Sequence, residues 1–554
     1  MTGLPDTPAE EATGRAATAP ARRRPPSRRQ LRKARLALAQ AEHYPVPHYP
    51  MDCSVFLRPV VTTCLDALRR AGIEAGSAEQ VLVGVDDAAV RLVPPRFRPS
   101  VRAVPGLPML FLKSLGWTRV SADEWTEECR RTLVPLVERI DGEEPADLSD
   151  RELADRLAQV RGVLGALVGP RFGALPRGMA ADASLSLWLR AGFGADEGGR
   201  LHADLLSGVP TLIGEADREL AELAARIRRD PELREIYERC AAEEIDARLA
   251  ETAAGRALLA GLRRHLTHHG YRMTATPSLG SPTLRDSPEI LHGLLLSLAR
   301  APEPADHAEE LAQQHAPEVP SGADRMAAAR SAVTSARGLR GRLFGRPALR
   351  RLPAARVHAA FREDSHFHLV TGLGVVRRLL LEQGRRLTLR GALDRPEDIF
   401  LLELGETDGE PEAVHALAAE RGRRRAAVLR DYSPVPPELL AVLDSGDAGI
   451  SGIAAARGTA TGPVRIIRGP AEFHRMTEGD VLVCPYTNPG WTPLFRLARA
   501  VVTDTGGLGS HAAVVAREYG IPAVMGSVNA TRTLRDGQYV RVDGTAGTVT
   551  AVGG

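Results

Sequence analysis

The residues best suited to chemistry are gathered in one stretch, Thr503-Asp504-Thr505-Gly506-Gly507-Leu508-Gly509-Ser510-His511 followed by a small apolar run and Ala516-Arg517-Glu518-Tyr519-Gly520-Ile521-Pro522-Ala523-Val524. A strand ending at Thr503, glycines that allow a tight turn, and Ser510 as N-cap would set His511 on the first turn of a helix. Gly520 at the left-handed C′ position, Ile521 behind it and Pro522 would close that helix. A helix N-terminus presents unpaired N–H groups and about half a positive charge, which favours an anion and disfavours an imidazolium. A neutral imidazole there is a nucleophile, and glycines in front of it leave room for a phosphate. The chemistry that fits is a histidine that accepts and then donates a phosphoryl group. Thr505, Gly506, Gly507, Ser510 and Arg517 form its candidate phosphate environment, although Arg517 could equally pair with Glu518 or a carbonyl.

The elements that would position His511 form an α/β module of about 105 residues, taken as 450–554. Its strand-type runs are 462–467, 480–484, 500–503, 538–542 and 547–552, with one helix at 510–519. A Pro-rich linker, 431–449, precedes it and suits semi-rigid spacing. From about 120 to 430 the periodicity is helical. Ser149-Asp150-Arg151-Glu152 has capping-box spacing before Leu153, Leu157, Val160, Leu164 and Leu167, and Asp230-Pro231 precedes Leu233, Ile236, Tyr237 and Cys240. Residues 41–110 read as Pro-rich and irregular, with a helical stretch at 60–71 and a strand at 81–85, and 301–323 as an insertion or mobile loop.

At 554 residues the chain has length for several domains, and 44% hydrophobic with 25% charged residues is ordinary for a globular protein. The net charge of +3 hides an asymmetry. Residues 1–40 carry eight Arg and Lys33 against Asp6, Glu10 and Glu11, so the remainder is slightly acidic. That separates a basic, disordered tail from a body with no nucleic-acid surface. Five cysteines without CxxC spacing argue against disulfides and structural zinc, and no run is long enough for a membrane span, which together point to the cytoplasm.

The 503–524 stretch resembles the phosphohistidine, or swivelling, domain of the phosphoenolpyruvate-utilising family, whose members include pyruvate phosphate dikinase, phosphoenolpyruvate synthase and rifampicin phosphotransferase. The likeness extends to Gly458-Thr459-Ala460-Thr461-Gly462-Pro463-Val464-Arg465 and Asp480-Val481-Leu482-Val483 before Trp491. It implies that His511 is the phosphorylated residue. Residues 41–430 resemble the mostly helical acceptor-binding domain of the rifampicin-phosphotransferase branch, through Tyr44-Pro45 to Tyr49-Pro50-Met51-Asp52, His269-Gly270-Tyr271-Arg272, Arg285-Asp286-Ser287-Pro288-Glu289, and Arg362-Glu363 through Arg377, Gly384, Leu393 and Glu397-Asp398-Ile399-Phe400. The family's acidic residue after Gly-x-Arg is replaced around Thr274-Ala275-Thr276, which puts the acceptor's identity in question. The expected fold class is therefore multidomain: a mostly α-helical, acceptor-binding-like domain followed by a small α/β (β/β/α) swivelling domain.

The resemblance implies a phosphotransferase subunit that passes phosphate from His511 to a small hydroxylated acceptor, with His43, His48, Arg272 and Arg362 as candidate acceptor-site residues. His43 or His48 could serve as general base. An ATP-grasp module needs roughly 200–300 residues and a cation on the phosphates, so ATP and Mg²⁺ are expected on a separate ATP-grasp partner and no cofactor bound directly. The competing readings are a phosphocarrier or regulatory protein that docks a protein partner, and a degenerate chain that no longer receives phosphate. His265-x-x-His268-His269 has no carboxylate or Cys nearby in sequence, so no metal is expected. His366 and His368 read as partly exposed polar positions. The Arg cluster at 342–356 reads as a solvated face or a docking surface for an acidic partner.

Overall fold

The computed structural model describes residues 38, 41, 45–70, 73–74, 76–92, 98–99, 121–274, 277–300, 322–336, 341–432 and 450–552. His43, most of the basic tail, residues 301–321, Ala275-Thr276 and residues 433–449 of the linker lie outside the described residues. A mostly helical region precedes a small sheet module. Among the described residues no helix is long and apolar enough to cross a membrane.

Six helices of the first region matter for the site: α1 (Ala122–Asp141), α2 (Asp150–Phe193), α3 (Leu212–Arg229), α4 (Ala253–His269), α5 (Pro288–Arg300) and α6 (Arg346–Leu389). The local signals explain their starts. Ser149 Oγ accepts from the Glu152 N–H at 3.3 Å while the Glu152 carboxylate accepts from the Ser149 N–H at 2.8 Å, the reciprocal bonds of a capping box. Leu153, Leu157, Val160, Leu164 and Leu167 are all buried along one side of α2. They share a core with Trp125 and Leu133 of α1 and Val376 and Leu380 of α6. Asp230 caps the helix Pro231–Arg239, accepting from Glu232 and Leu233 at 2.9 and 3.2 Å. In the Arg cluster, Arg356 donates to the Leu205 and Ser207 carbonyls and Arg351 lies over the Trp188 ring, so part of it braces neighbouring helices.

The sheet module holds eight strands: β1 (Ile450–Ser451), β2 (Ile453–Ala456), β3 (Thr459–Ile466), β4 (Val481–Cys484), β5 (Ala500–Thr503), β6 (Ala523–Met525), β7 (Tyr539–Asp543) and β8 (Thr548–Ala551), in the order β1-β8-β7-β3-β4-β5-β6-β2. The centre, β3-β4-β5-β6, is parallel, and the flanking pairs are antiparallel. Alternation along β4 sorts the two faces. Val481 and Val483 enter one apolar core with Val464, Val502, Val540 and Val542, while Leu482 and Cys484 enter another. That second core is continuous with Leu291, Leu294, Leu295 and Leu298 of α5, so the helical region covers one face of the sheet. A parallel sheet buried on both faces reads as an apolar run, as β4 does.

Strands β1, β2 and β6 carry no period-two pattern of their own, and the other strands except β5 differ by a residue or more from the runs that mark them in the sequence. Ile453-Ala-Ala-Ala456 is short and alanine-rich and Ala523-Val-Met525 only three residues long; they become strands because they pair with each other and the second also pairs with β5. Leu38 falls within the segment read as a disordered tail, yet it is 1% exposed and its carbonyl accepts from the Gly506 N–H at 3.0 Å. At that residue the reading is corrected: a buried apolar side chain and a satisfied carbonyl fix it against the Gly-rich turn.

Candidate active site

Helix α7 (His511–Tyr519) connects β5 to β6 and starts with His511 itself. Ser510 is buried, in extended conformation, and its Oγ accepts from the Ala513 N–H at 3.0 Å. At the other end Gly520 has φ 69°, the left-handed value, and the Ile521 N–H reaches back to the Ala516 carbonyl at 3.0 Å. Gly506 opens the turn with φ 103°, a conformation closed to most side chains. Arg517 donates to the Leu508 carbonyl at 2.8 Å, so it holds the turn's own backbone. Thr505 is fixed by its N–H and Oγ to the Pro485 carbonyl at 3.0 and 2.9 Å.

That last tie joins the loop after β5 to the loop after β4, at the carboxyl edge of the parallel strands where open α/β sheets place ligands. The β4 loop supplies two hydroxyls to the histidine. Thr487 Oγ1 lies 3.3 Å from His511 Nδ1, and Thr492 Oγ1 lies 3.3 Å from Nε2. Phe495 meets the imidazole edge-on at 6.4 Å between centroids.

The helical region faces this histidine with charge. Burial pushes the His511 imidazole down from 6.5 to about 4; Glu363 opposes, and Arg272, Arg362 and His366 push further down. His511 is accordingly neutral at pH 7. Burial alone would raise the Glu363 carboxyl, but Arg362, His511 and His366 outweigh it and hold it below its ordinary value. Arg362, Glu363 and His366 all come from α6, and Arg362 chelates Glu363 at 2.7–2.8 Å. The next residue, Asp364, accepts from the Leu212 N–H at 2.8 Å and so locks α6 to the start of α3.

Arg272 sits on the loop between α4 and α5 and is 5% exposed, paired with Asp217 of α3 at 3.0 Å. Other ties hold that loop: Arg285 to Asp141 at 2.7 Å, and Arg377 to Asp286 at 2.9 Å and to the Leu279 carbonyl at 2.6 Å. A cleft beside the site is lined by Ile213, Arg272, Met273, His366 and Phe367 from the helical region and by Asn488 and Gly490 from the sheet module. Asn488 donates to the Thr274 carbonyl at 3.2 Å across the boundary.

Of the candidate residues, the structure thus brings Arg272 and Arg362 to His511. His48 is buried elsewhere, 3.4 Å from Asp52 and paired through its backbone with Val90, and it does not line the cleft. Thr487, Thr492, Glu363 and His366 had not been singled out as site residues. Only His366 carried a usable signal, its i, i+4 spacing from Arg362 on one helix.

Residues 476–547 match the family described as PEP-utilising enzyme, mobile domain, and residues 174–363 match the rifampicin phosphotransferase fourth domain. An uncharacterized phosphotransferase of Bacillus subtilis is 31% identical over 371 residues, 63% of this chain and 43% of that protein. A rifampicin phosphotransferase of Streptomyces sp is 30% identical over 362 residues, covering 62% and 40%. A phosphoenolpyruvate synthase of Aeropyrum pernix is 41% identical over 160 residues, covering 29% and 18%. The chain spans less than half the length of each of these relatives.

Proposed function

We propose that the chain is a member of the phosphoenolpyruvate-utilising enzyme family, a reading supported by its matches to the mobile domain and to the rifampicin phosphotransferase fourth domain, and that it is a phosphotransferase in which His511 carries a phosphoryl group to a small hydroxylated acceptor held between α3, α6 and the α4–α5 loop. The observation that carries this reading is a neutral His511, on a helix N-terminus, within electrostatic reach of Arg272, Arg362, Glu363 and His366, beside a cleft that Arg272 and His366 line. In the transfer, the acceptor oxygen attacks phosphorus, the N–P bond to His511 breaks, and the acceptor's proton passes to His366 or Glu363. Arg272 and Arg362 stabilise the charge that spreads over the phosphoryl oxygens. With a proton on its other ring nitrogen, the imidazole leaves as a neutral base, the form its surroundings favour.

His511 is charged from ATP and Mg²⁺ held on an ATP-grasp module outside these 554 residues. No binding site for either is assigned to this chain. Incubating the protein with ATP, Mg²⁺ and a candidate ATP-grasp partner should yield acid-labile phosphate on His511, discharged when the right acceptor is added. Labelling that persists in His511→Ala would refute the assignment.

A further inference from the structure

A second group of ligand-type side chains lies one step behind the cleft. His265 and His269, four residues apart, share one face of α4 and meet Glu219 of α3. Glu219 Oε2 is 2.9 Å from His265 Nδ1 and 3.5 Å from His269 Nε2, and one ligand atom from each residue lies within 4.8 Å of the others. The two imidazoles are 1% and 5% exposed, while the Glu219 side chain is 40% exposed and leaves a way in from solvent. The sequence reading set a metal aside for want of a carboxylate close in the chain; folding supplies one from 46 residues upstream.

We propose that Glu219, His265 and His269 bind one divalent transition-metal ion, with zinc the best match, and that the ion clamps α4 to α3. A donor set of two imidazoles and one carboxylate suits zinc and disfavours Mg²⁺ or Ca²⁺, which take oxygen. The far ring nitrogens, His265 Nε2 and His269 Nδ1, have no hydrogen-bond partner. Among the described residues Glu219 is thus the one group that meets either ring by a polar contact, and both rings can turn a lone pair to a cation by giving up their contacts with that same carboxylate. The clamp would bear on the cleft, because Asp217, the partner of Arg272, is two residues from Glu219, and the His269 ring packs on Phe367 at 5.8 Å.

The test uses the full chain, stripped with a chelator and titrated with Co²⁺, then with Zn²⁺. One equivalent of Co²⁺ should develop the visible absorption of a low-coordinate nitrogen–oxygen site, Zn²⁺ should bleach it and raise the thermal midpoint, and Mg²⁺ should do neither. Glu219→Gln, a change at a half-exposed position, and His265→Gln should each abolish the saturable absorption. Absence of saturable absorption in the native chain overturns the proposal. So does an unchanged titration in Glu219→Gln shown to be folded by circular dichroism, whatever becomes of the buried His265→Gln variant.

Discussion

His511 owes its expected reactivity to placement. The N-cap, the glycine turn and the helix that hold it are contiguous, which is why that part of the site is legible in the chain. Thr487 and Thr492 arrive from a neighbouring strand's loop, and Glu363 and His366 from a helix about 150 residues earlier, so no pattern around His511 could assign them, and only the i, i+4 spacing of His366 from Arg362 offered a local signal. Their contributions separate by experiment. His366→Gln should slow transfer to the acceptor by about 10²-fold or more while leaving the charging of His511 intact, as read by single-turnover discharge of the labelled protein. Arg362→Ala should do the same through lost charge stabilisation, about 10²-fold; an equal loss in charging would assign both residues to folding instead. Acid should act through His511 as well. Its pKa falls from 6.5 to about 4 on burial, so above pH 6.5 neither state carries the proton, and between 6.5 and 4 the unfolded chain binds a proton that the native state refuses. Stability is therefore lost as pH falls through that window, by at most about 2 kcal/mol from this group between pH 6.5 and 5. The urea midpoint should fall less between the two pH values in His511→Asn than in the native chain, and the remaining fall comes from His265, His269 and His368, which desolvation also holds down at about 4.

Among the elements, capping and periodicity were enough for the three helices whose starts they marked, since Ser149, Asp230 and Ser510 all cap as their spacing suggests. Strands set by partners were not, as β2 and β6 show. The family-like glycine at 384 has a reason visible only in three dimensions: a Cβ there would lie 2.2 Å from the Pro396 carbonyl oxygen, where the segment after α6 folds back. Because the obstacle is backbone, it cannot rotate away. Gly384→Ala should cost about 1–3 kcal/mol in denaturant unfolding. Ser510→Ala should cost about 1 kcal/mol by orphaning the Ala513 N–H. A neutral result at Gly384 would mean that the return segment can shift without loss.

Over the whole molecule, the sheet module is held against the helices in an arrangement that sets His511 beside Arg272, Arg362, Glu363 and His366. Besides the shared apolar core, Ser297 Oγ donates to the Phe473 carbonyl at 3.0 Å, Arg325 reaches the Glu518 carbonyl, and Arg457 pairs with Asp196. On the proposed function, a histidine enclosed in this way would be placed to give phosphate to an acceptor and closed to a large donor protein, so that charging would require the module to leave. The boundary offers a lock. A Cβ on Gly293 of α5 would lie 3.3 Å from the Cβ of exposed His474, close to the 3.5–4.5 Å of a disulfide. In Gly293→Cys/His474→Cys, oxidation should suppress labelling of His511 by the ATP-grasp partner to background, and reduction should restore it. The same oxidation applied after charging should leave discharge to the acceptor intact, since that step uses the docked arrangement. Oxidised protein that charges as fast as reduced protein would show that the donor reaches His511 without undocking, and the cleft would then have to admit both exchange partners from one side.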